Sequence, residues 1–467
     1  MQKDNIRALI VGAGFAGSLA YQALQEHKDE RVPVGFVDDD DQKNGSDIDG
    51  LPVLGNRFAI PAIVKKHKVN EIIIAMPSTP SAEVSKIAEI CKKTNARVKI
   101  LPGTYDLITG NIQLAPIRDV RLDDLLGREP LLLDTEEIVK YLHNEVVLIT
   151  GAGGSVGTEL AVHAGNNNPR QLILMGRGEN SIFEVEQKLR YSHPHVNIVS
   201  EIGDIRDQGR MRRLFCKYEP GVVFHAAAHK HVPYMERNPE EAVKNNIIGT
   251  KIVCETAMNT GCKKFILVST DKAVKPTSVM GASKKVAEMI VLLMNDLGPT
   301  KFAAVRFGNI LGSRGSVLPL FERQIAQGGP VTITHPEMTR YFMTVNEAAQ
   351  LVIQAGAMAV GGEVFILDMG EPICIKELAL KLIKMKGLRP FKDIAIKYIG
   401  VRPGEKISEI LTSEQEIVEI TKHKRILSVL NKKVDHRQVK DMLYQFQHPQ
   451  FTYRDEEIEA LLKTLTD

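Results

Sequence analysis

One pattern occurs twice in this chain and constrains its fold more than any other feature: a short apolar strand, a glycine-rich turn, then a helix. The first copy is Arg7-Ala-Leu-Ile-Val11 followed by GAGFAG from Gly12 to Gly17. The second is Val146-Val-Leu-Ile-Thr150 followed by GAGGSVG from Gly151 to Gly157. Both copies lead into further alternation of strand-like and helix-like segments, including EIIIAM (71–76), GVVFHAAA (221–228) and KFILVST (264–270). Strands alternating with helices imply parallel sheets covered on both faces.

The expected class is therefore α/β, with two tandem Rossmann-like doubly wound parallel sheets, the second followed by a smaller C-terminal substrate-binding lobe. A chain of 467 residues also exceeds the ~250–300 at which one core stops growing. Residues 1–110 are expected to form an accessory nucleotide-binding domain. A linker is expected over 111–144, where NIQLAPIRDVRLDDLLGREP is punctuated by proline and lacks a clean period. The catalytic domain is expected over 145–412, its alternation loosening beyond about 310 into the lobe. Residues 413–467 read as a polar C-terminal extension with helices.

Composition narrows the class. A net charge of +3 generates no strong field, so nucleic-acid binding has no support. The five cysteines (Cys91, Cys216, Cys254, Cys262, Cys374) form no CxxC pair and read as reduced thiols. No apolar run approaches the roughly 18–20 residues of a bilayer span. The opening MQKDNIRALIVGAG enters a strand at once, so no signal peptide is expected. The expected location is the cytoplasm, in solution or at the inner face of the membrane.

Glycine at such a turn lets the backbone approach a pyrophosphate, and the next helix offers it unpaired N–H groups. A tight strand–helix turn also needs glycine without any ligand, but here both loops have the required strand before and helix after. In the first loop Gly12, Gly14 and Gly17 are the candidates, with Asp38 at the tip of VGFVDDD placed to bind a ribose 2′-hydroxyl. In the second, Gly151, Gly154, Ser155, Val156 and Gly157 are the candidates. The strand QLILM there ends in Gly176-Arg177, with no acid at its tip. Arg177 suits a 2′-phosphate or stacks on adenine, a lean towards NADP that Glu179 leaves open to NAD. Asp204 and Ile205 read as neighbours of the adenine edge, or Asp204 as a helix cap. Ala226, Ala227, Ala228 and Lys230 face the cofactor in the same scheme. His225, His229 and His231 have no converging partner acids, and no metal is expected.

The strand KFILVST runs into Asp271-Lys272, and Met280 and Lys284 follow four residues apart in VMGASKK, on one face of a helix. Here the chain resembles the extended short-chain dehydrogenase/reductases, which place Ser/Thr at the end of this strand and Tyr-x-x-x-Lys on the next helix. Thr270 and Lys284 match; Met280 stands where the tyrosine belongs. With Asp271 and Lys272 after the threonine, the chain resembles the sugar-nucleotide 4,6-dehydratases, in the Thr-Asp-Lys form of the branch acting on UDP-N-acetylglucosamine. HAAAHKHVP (225–233), FGNILGSRGSV (307–317), PEMTRYFMT (336–344) and RPGEK (402–406) fit that branch too. The match covers nearly all of 120–412. Residues 1–110 resemble the accessory domain of larger members, which often carry N-terminal transmembrane helices.

The resemblance implies a specific chemistry. Oxidation of the sugar C4 hydroxyl, with hydride passing to NAD or NADP, acidifies the C5 proton. Lys272 is implied as the base that removes it and Asp271 as the acid that protonates the departing C6 hydroxyl. A neutral base requires Lys272 to be depressed in pKa, by burial and by a cationic nicotinamide or Lys284. Lys284 holds the nicotinamide ribose. Because a thioether takes no proton, Asp271, or Thr270 with a water, is left to serve the C4 hydroxyl. Members that retain C5 configuration carry Met at this place, so retention is expected. Asn246 is expected to hold a helix or loop. Arg314 and Arg340 are candidates for the UDP diphosphate, Arg340 alternatively for a salt bridge. Asn309, Ser316, Val317 and Glu405 are candidates for uridine and sugar. The partner implied is UDP-N-acetylglucosamine, in a homo-oligomer. A UDP-sugar 4-epimerase and a non-catalytic sugar-nucleotide sensor are the rivals.

Overall fold

A computed structural model of the chain describes residues 6–26, 31–79, 81–101, 118–119, 133–430, 434–448, 451 and 454–466. These fall into two compact units, one within residues 1–132 together with 384–388, the other made of the rest. The proline-punctuated stretch 111–130 expected as a linker lies outside the described residues, apart from Arg118–Asp119.

The first unit contains a five-stranded sheet in the order Arg31–Val37, Ile6–Val11, Glu71–Ile74, Arg97–Ile100, Arg118–Asp119. The first four strands run parallel and the last antiparallel. Leu9, Ile10, Ile72 and Ile73 are fully buried, as expected of a parallel strand covered on both faces.

The second unit is built on a nine-stranded sheet. Its order is Ile198–Ile202, Gln171–Gly176, Val146–Thr150, Val222–His225, Lys264–Val268, Lys301–Arg306, Glu363–Leu367, Ile426–Val429, Val418–Ile420. The first seven are parallel; Ile426–Val429 runs antiparallel to both of its neighbours, Glu363–Leu367 and Val418–Ile420. The order reverses beside Val146–Thr150, which places the glycine turn at a topological switch point, where open α/β sheets take their ligands. Both units are doubly wound sheets, as expected.

The helix Val279–Asn295 follows the chemistry-bearing strand. Ser278 caps it by accepting a hydrogen bond from the Gly281 amide at 3.0 Å. Fourteen of its 17 residues are buried, more than a one-sided helix can hide. Its outer face is covered by the helices His436–Gln447 and Asp455–Thr466, whose Val439, Met442, Phe446, Ile458 and Leu462 share its core. The expected division at 412 needs correcting on this point. Segment 413–467 contributes two strands of the main sheet and two helices of the main core, because the edge of Glu363–Leu367 and the apolar surface of Val279–Asn295 would otherwise stay open to water. The helix Thr135–Leu142, placed by expectation in the linker, likewise belongs to this unit. Beyond Arg306 short pairings build the lobe: Asn309–Ile310 with Phe342–Met343, Val331–Ile333 with Ile396–Tyr398, and Thr339–Arg340 with Ile373–Cys374.

Candidate active site

The second glycine turn is shaped by contacts that only glycine permits. Gly151 has φ +70°, and a Cβ on it would lie 2.7 Å from the Ala227 amide; one on Gly157 would lie 2.2 Å from the Gly151 carbonyl oxygen. Gly154, by contrast, is exposed and close to nothing but that same oxygen. The helix Ser155–Gly165 starts after it without a side-chain cap, leaving first-turn amides directed outward. Arg314 closes over this turn: its amide donates to Ser155 Oγ at 3.1 Å and its guanidinium to the Gly153 carbonyl at 3.2 Å and Glu184 at 2.6 Å. Expected at the UDP diphosphate, Arg314 is found on the glycine turn.

Arg177 stands half-exposed at the strand tip, 3.5 Å from Asp204. Asp204 accepts from the Arg206 amide at 3.0 Å and from its guanidinium at 2.8 Å; the cap of the following helix is Asp207. Burial pushes the Asp204 carboxyl up, but Arg206 and Arg177 outweigh it and hold it below its usual range. Ile205 is buried against Gly249. His225, His229 and His231 have different surroundings. His225 is fully buried, its two nitrogens bonded to Thr150 Oγ1 at 2.7 Å and Thr250 Oγ1 at 3.0 Å. Asn246 clamps the His229 backbone on both sides, accepting from its amide at 2.8 Å and donating to its carbonyl at 3.0 Å. Lys230 donates to Ser313 Oγ at 3.3 Å.

Strand Lys264–Val268 delivers Thr270, Asp271 and Lys272 into a short turn. Asp271 is fully buried; Thr270 Oγ1 donates to its Oδ1 at 2.8 Å and Lys272 Nζ donates to the same oxygen at 3.0 Å. Its other oxygen, Oδ2, is buried without a hydrogen-bond partner. Such an orphan costs about 1–3 kcal/mol, which marks the carboxyl as held for something other than stability. Lys272 also donates to Asn309 Oδ1 at 3.1 Å and faces Glu409 Oε1 at 3.6 Å. Oxygens of three residues thus surround one amine.

Met280 and Lys284 share one face of the buried helix. Met280 is 2% exposed. Lys284 Nζ donates to the Val268 carbonyl at 2.8 Å, and burial pulls its pKa down to about 8 against the pull of Glu288.

In the lobe, Arg340 is buried and its guanidinium donates to the carbonyls of Thr339, Ile407 and Lys406 at 2.7–2.9 Å. It moors the RPGEK loop, nearer the structural alternative than the diphosphate role. Glu405 pairs with Arg402 at 2.9 Å. Ser316 precedes the helix Val317–Ala326 and its buried Oγ has no partner. Glu409 is the residue that reading the sequence missed. It is buried, its Oε2 is unpartnered, and three cations face it. The only signal was its position three residues beyond Lys406 in a recognised segment.

In the first unit, Asp38 is drawn into its own glycine turn, accepting from the Ala13 amide at 2.7 Å and the Asp40 amide at 3.0 Å. Burial raises its pKa, and these amides with Lys43 bring it below the usual value. Gly12 and Gly17 pack too closely for a Cβ, while Gly14 opens to space.

Comparison with known proteins agrees with this architecture. A family model described as "Polysaccharide biosynthesis protein" matches residues 147–431, and one described as "CoA-binding domain" matches 1–102. The chain is 50% identical over 414 residues to the probable polysaccharide biosynthesis protein EpsC of Bacillus subtilis, covering 88% of this chain and 69% of that one. It is 35% identical over 275 residues to a UDP-N-acetylglucosamine 4,6-dehydratase (inverting) of Campylobacter jejuni (58% and 78%), and 34% identical over 281 to a UDP-glucose 4-epimerase of Rickettsia typhi (59% and 79%). Among solved structures, Pen from Bacillus thuringiensis superposes with a TM-score of 0.57 at 34% identity, covering 63% of this chain and 90% of that one. With a family model spanning more than half its length, and with its acid and lysine at the end of the sheet strand two places from the one that carries the glycine turn, the chain belongs to the polysaccharide biosynthesis protein family of Rossmann-fold enzymes.

Proposed function

We propose that the protein is a UDP-N-acetylglucosamine 4,6-dehydratase that retains configuration at C5, making a UDP-2-acetamido-2,6-dideoxy-4-hexulose for polysaccharide or glycan assembly. One arrangement carries the reading: a buried carboxyl with one free oxygen, Asp271, 3.0 Å from the amine of Lys272. An acid and a base side by side serve an elimination, in which one proton leaves carbon while another reaches oxygen. The similarity to relatives named as a dehydratase and an epimerase of UDP-sugars supports the substrate class.

A dinucleotide fits the second glycine turn, where exposed Gly154 and the uncapped helix Ser155–Gly165 suit a pyrophosphate. Gly151, Ser155, Val156 and Gly157 would hold it, with Ala226 to Ala228 and Lys230 beside it and Lys284 at its ribose. Arg177 would favour the 2′-phosphate of NADP. A bound nicotinamide would supply the hydride acceptor and donor that links C4 to C6. Lys272 removes the C5 proton. Asp271, through its free oxygen, protonates the C6 hydroxyl, which departs as water. Lys272 then returns its proton to the same face of C5, preserving configuration. Since the Met280 thioether takes no proton, the Thr270–Asp271 hydrogen bond is the available path from the C4 hydroxyl. The dehydratase relative from C. jejuni is named as inverting, so retention rests on the likeness to members with Met at this place.

Incubation with UDP-N-acetylglucosamine should give a product lighter by one water. An unchanged mass would favour the epimerase, and tight binding without turnover a sensor. Lys272→Ala should abolish product, and Asp271→Asn should lose dehydration while still binding cofactor. NMR of the 4-keto sugar decides the stereochemistry; the C5 epimer would refute retention.

A further inference from the structure

Glu409 has no role in the scheme above. Its side chain is 3% exposed, it lies on the loop after RPGEK, and its Oε2 is buried without a hydrogen bond. Three cations face it: Lys272 Nζ at 3.6 Å, Lys406 Nζ at 3.9 Å and Arg340 Nε at 4.0 Å. Two of these are committed elsewhere. Lys406 donates to the Val274 carbonyl at 2.7 Å, and Arg340 to the carbonyls of Thr339, Lys406 and Ile407. The loop is thus moored without Glu409, and the nearest of the three amines is that of Lys272. Among the described residues Lys272 Nζ meets Asp271, Asn309 and Glu409, with the Lys406 ammonium acting on it by charge alone, so the acids are Asp271 and Glu409.

We propose that Glu409 is a positioning residue for Lys272, forming with Asp271 a two-carboxylate cradle that aims the amine and stabilises it once protonated. The need for a second acid follows from the elimination. To act on the C6 hydroxyl, Asp271 must carry a proton and offers no negative charge until that proton leaves. When the C5–H bond breaks, its electron pair stays with the sugar and the proton goes to the amine, creating an ammonium in a largely buried place. Glu409 is then the anion facing it. A lone buried charge costs far more than a paired one.

The inference rests on the dehydratase reading for its kinetic arm only. In Glu409→Gln the shape stays and the charge goes. The expected result is a kcat about tenfold lower, little change in KM, and a rising limb of the kcat/KM–pH profile displaced to lower pH by about one unit, since an opposing charge at this range shifts titration by one unit or more. Glu409→Asp, which keeps the charge, should restore most of the limb's position. Independently of turnover, NMR of protein labelled with 13Cε-lysine follows the Lys272 signal, identified by its absence in Lys272→Ala. Its titration midpoint should fall by a similar amount in Glu409→Gln. Variants that keep the wild-type melting temperature but leave limb and midpoint unmoved would overturn the proposal. Should Glu409→Gln fail to fold, Glu409→Ala takes its place as the uncharged variant, and an unmoved midpoint in it would do the same. Absence of any dehydrated product in wild type would instead strike the dehydratase reading, leaving the lysine titration to decide on Glu409.

Discussion

His225 ends a sheet strand with both ring nitrogens spent on threonine hydroxyls, and burial together with the charge of Lys284 pushes its pKa down to about 3. The imidazole is therefore neutral throughout the working range, a structural group beside the second glycine turn. The unfolded chain accepts a proton near pH 6.5, well before the folded one. Stability from this residue is complete above about pH 6.5 and is lost as pH falls towards 3, on the order of 5 kcal/mol in all. His225→Gln, which does not titrate, should be less stable than wild type at pH 7, and the gap should narrow in urea melts taken at successively lower pH. Parallel curves would mean that the ring is already charged in the fold. At this scale the Thr270–Asp271–Lys272 run was legible because its neighbours in sequence are its neighbours in space. Glu409 was not: 137 residues separate it from Lys272, and no local period marks the loop that brings it back. Arg314 and Arg340 were legible as important cations but not by target, because a guanidinium satisfies a carbonyl as readily as a phosphate.

Arg306 ends the strand Lys301–Arg306 and reaches across to the helix Val279–Asn295. Its guanidinium donates to Glu288 at 2.7–2.8 Å and, through its third nitrogen, to Glu416 at 2.7 Å, with Ser269 closing the network on Glu288. One side chain thus ties three elements: the central sheet, the helix carrying Met280 and Lys284, and the chain leading to Val418–Ile420. Arginine and Glu288 are both 2% exposed, so removing one leaves a buried charge without its partner. Arg306→Met should cost about 3–5 kcal/mol, read as a lower denaturation midpoint with an unchanged slope. Arg306→Met combined with Glu288→Leu should recover most of that loss, because an apolar pair replaces the ionic one at little net cost. A double variant as unstable as the single one would show that the ion pair itself, rather than the stranded acid, governs the junction. The strands Ile6–Val11, Arg31–Val37, Glu71–Ile74, Val146–Thr150, Gln171–Gly176, Val222–His225 and Lys264–Val268 were readable from their apolar runs. Val418–Ile420 and Ile426–Val429 were not, since the first is exposed along its whole length and both are only three or four residues long.

Each of the two units has a sheet and a core of its own. Ile73 is fully buried in the core of the first, with Ile10, Phe36 and Leu24, while the helix Val279–Asn295 anchors that of the second. The repeated strand–turn–helix pattern made this duality legible before any coordinates, because a glycine turn after a buried strand starts a new sheet as well as a binding site. Independent cores predict independent melting. Ile73→Ala removes three carbons from a site with no exposure and should cost about 2–4 kcal/mol. In calorimetry it should lower one of two unfolding transitions by several degrees, leaving the other in place. Arg306→Met should do the converse. If the second unit holds the dinucleotide as proposed, cofactor should raise only the transition that Arg306→Met moves. A single transition displaced by both variants would mean instead that the chain unfolds as one cooperative body, with the stability of the catalytic sheet dependent on the residues around the first glycine turn.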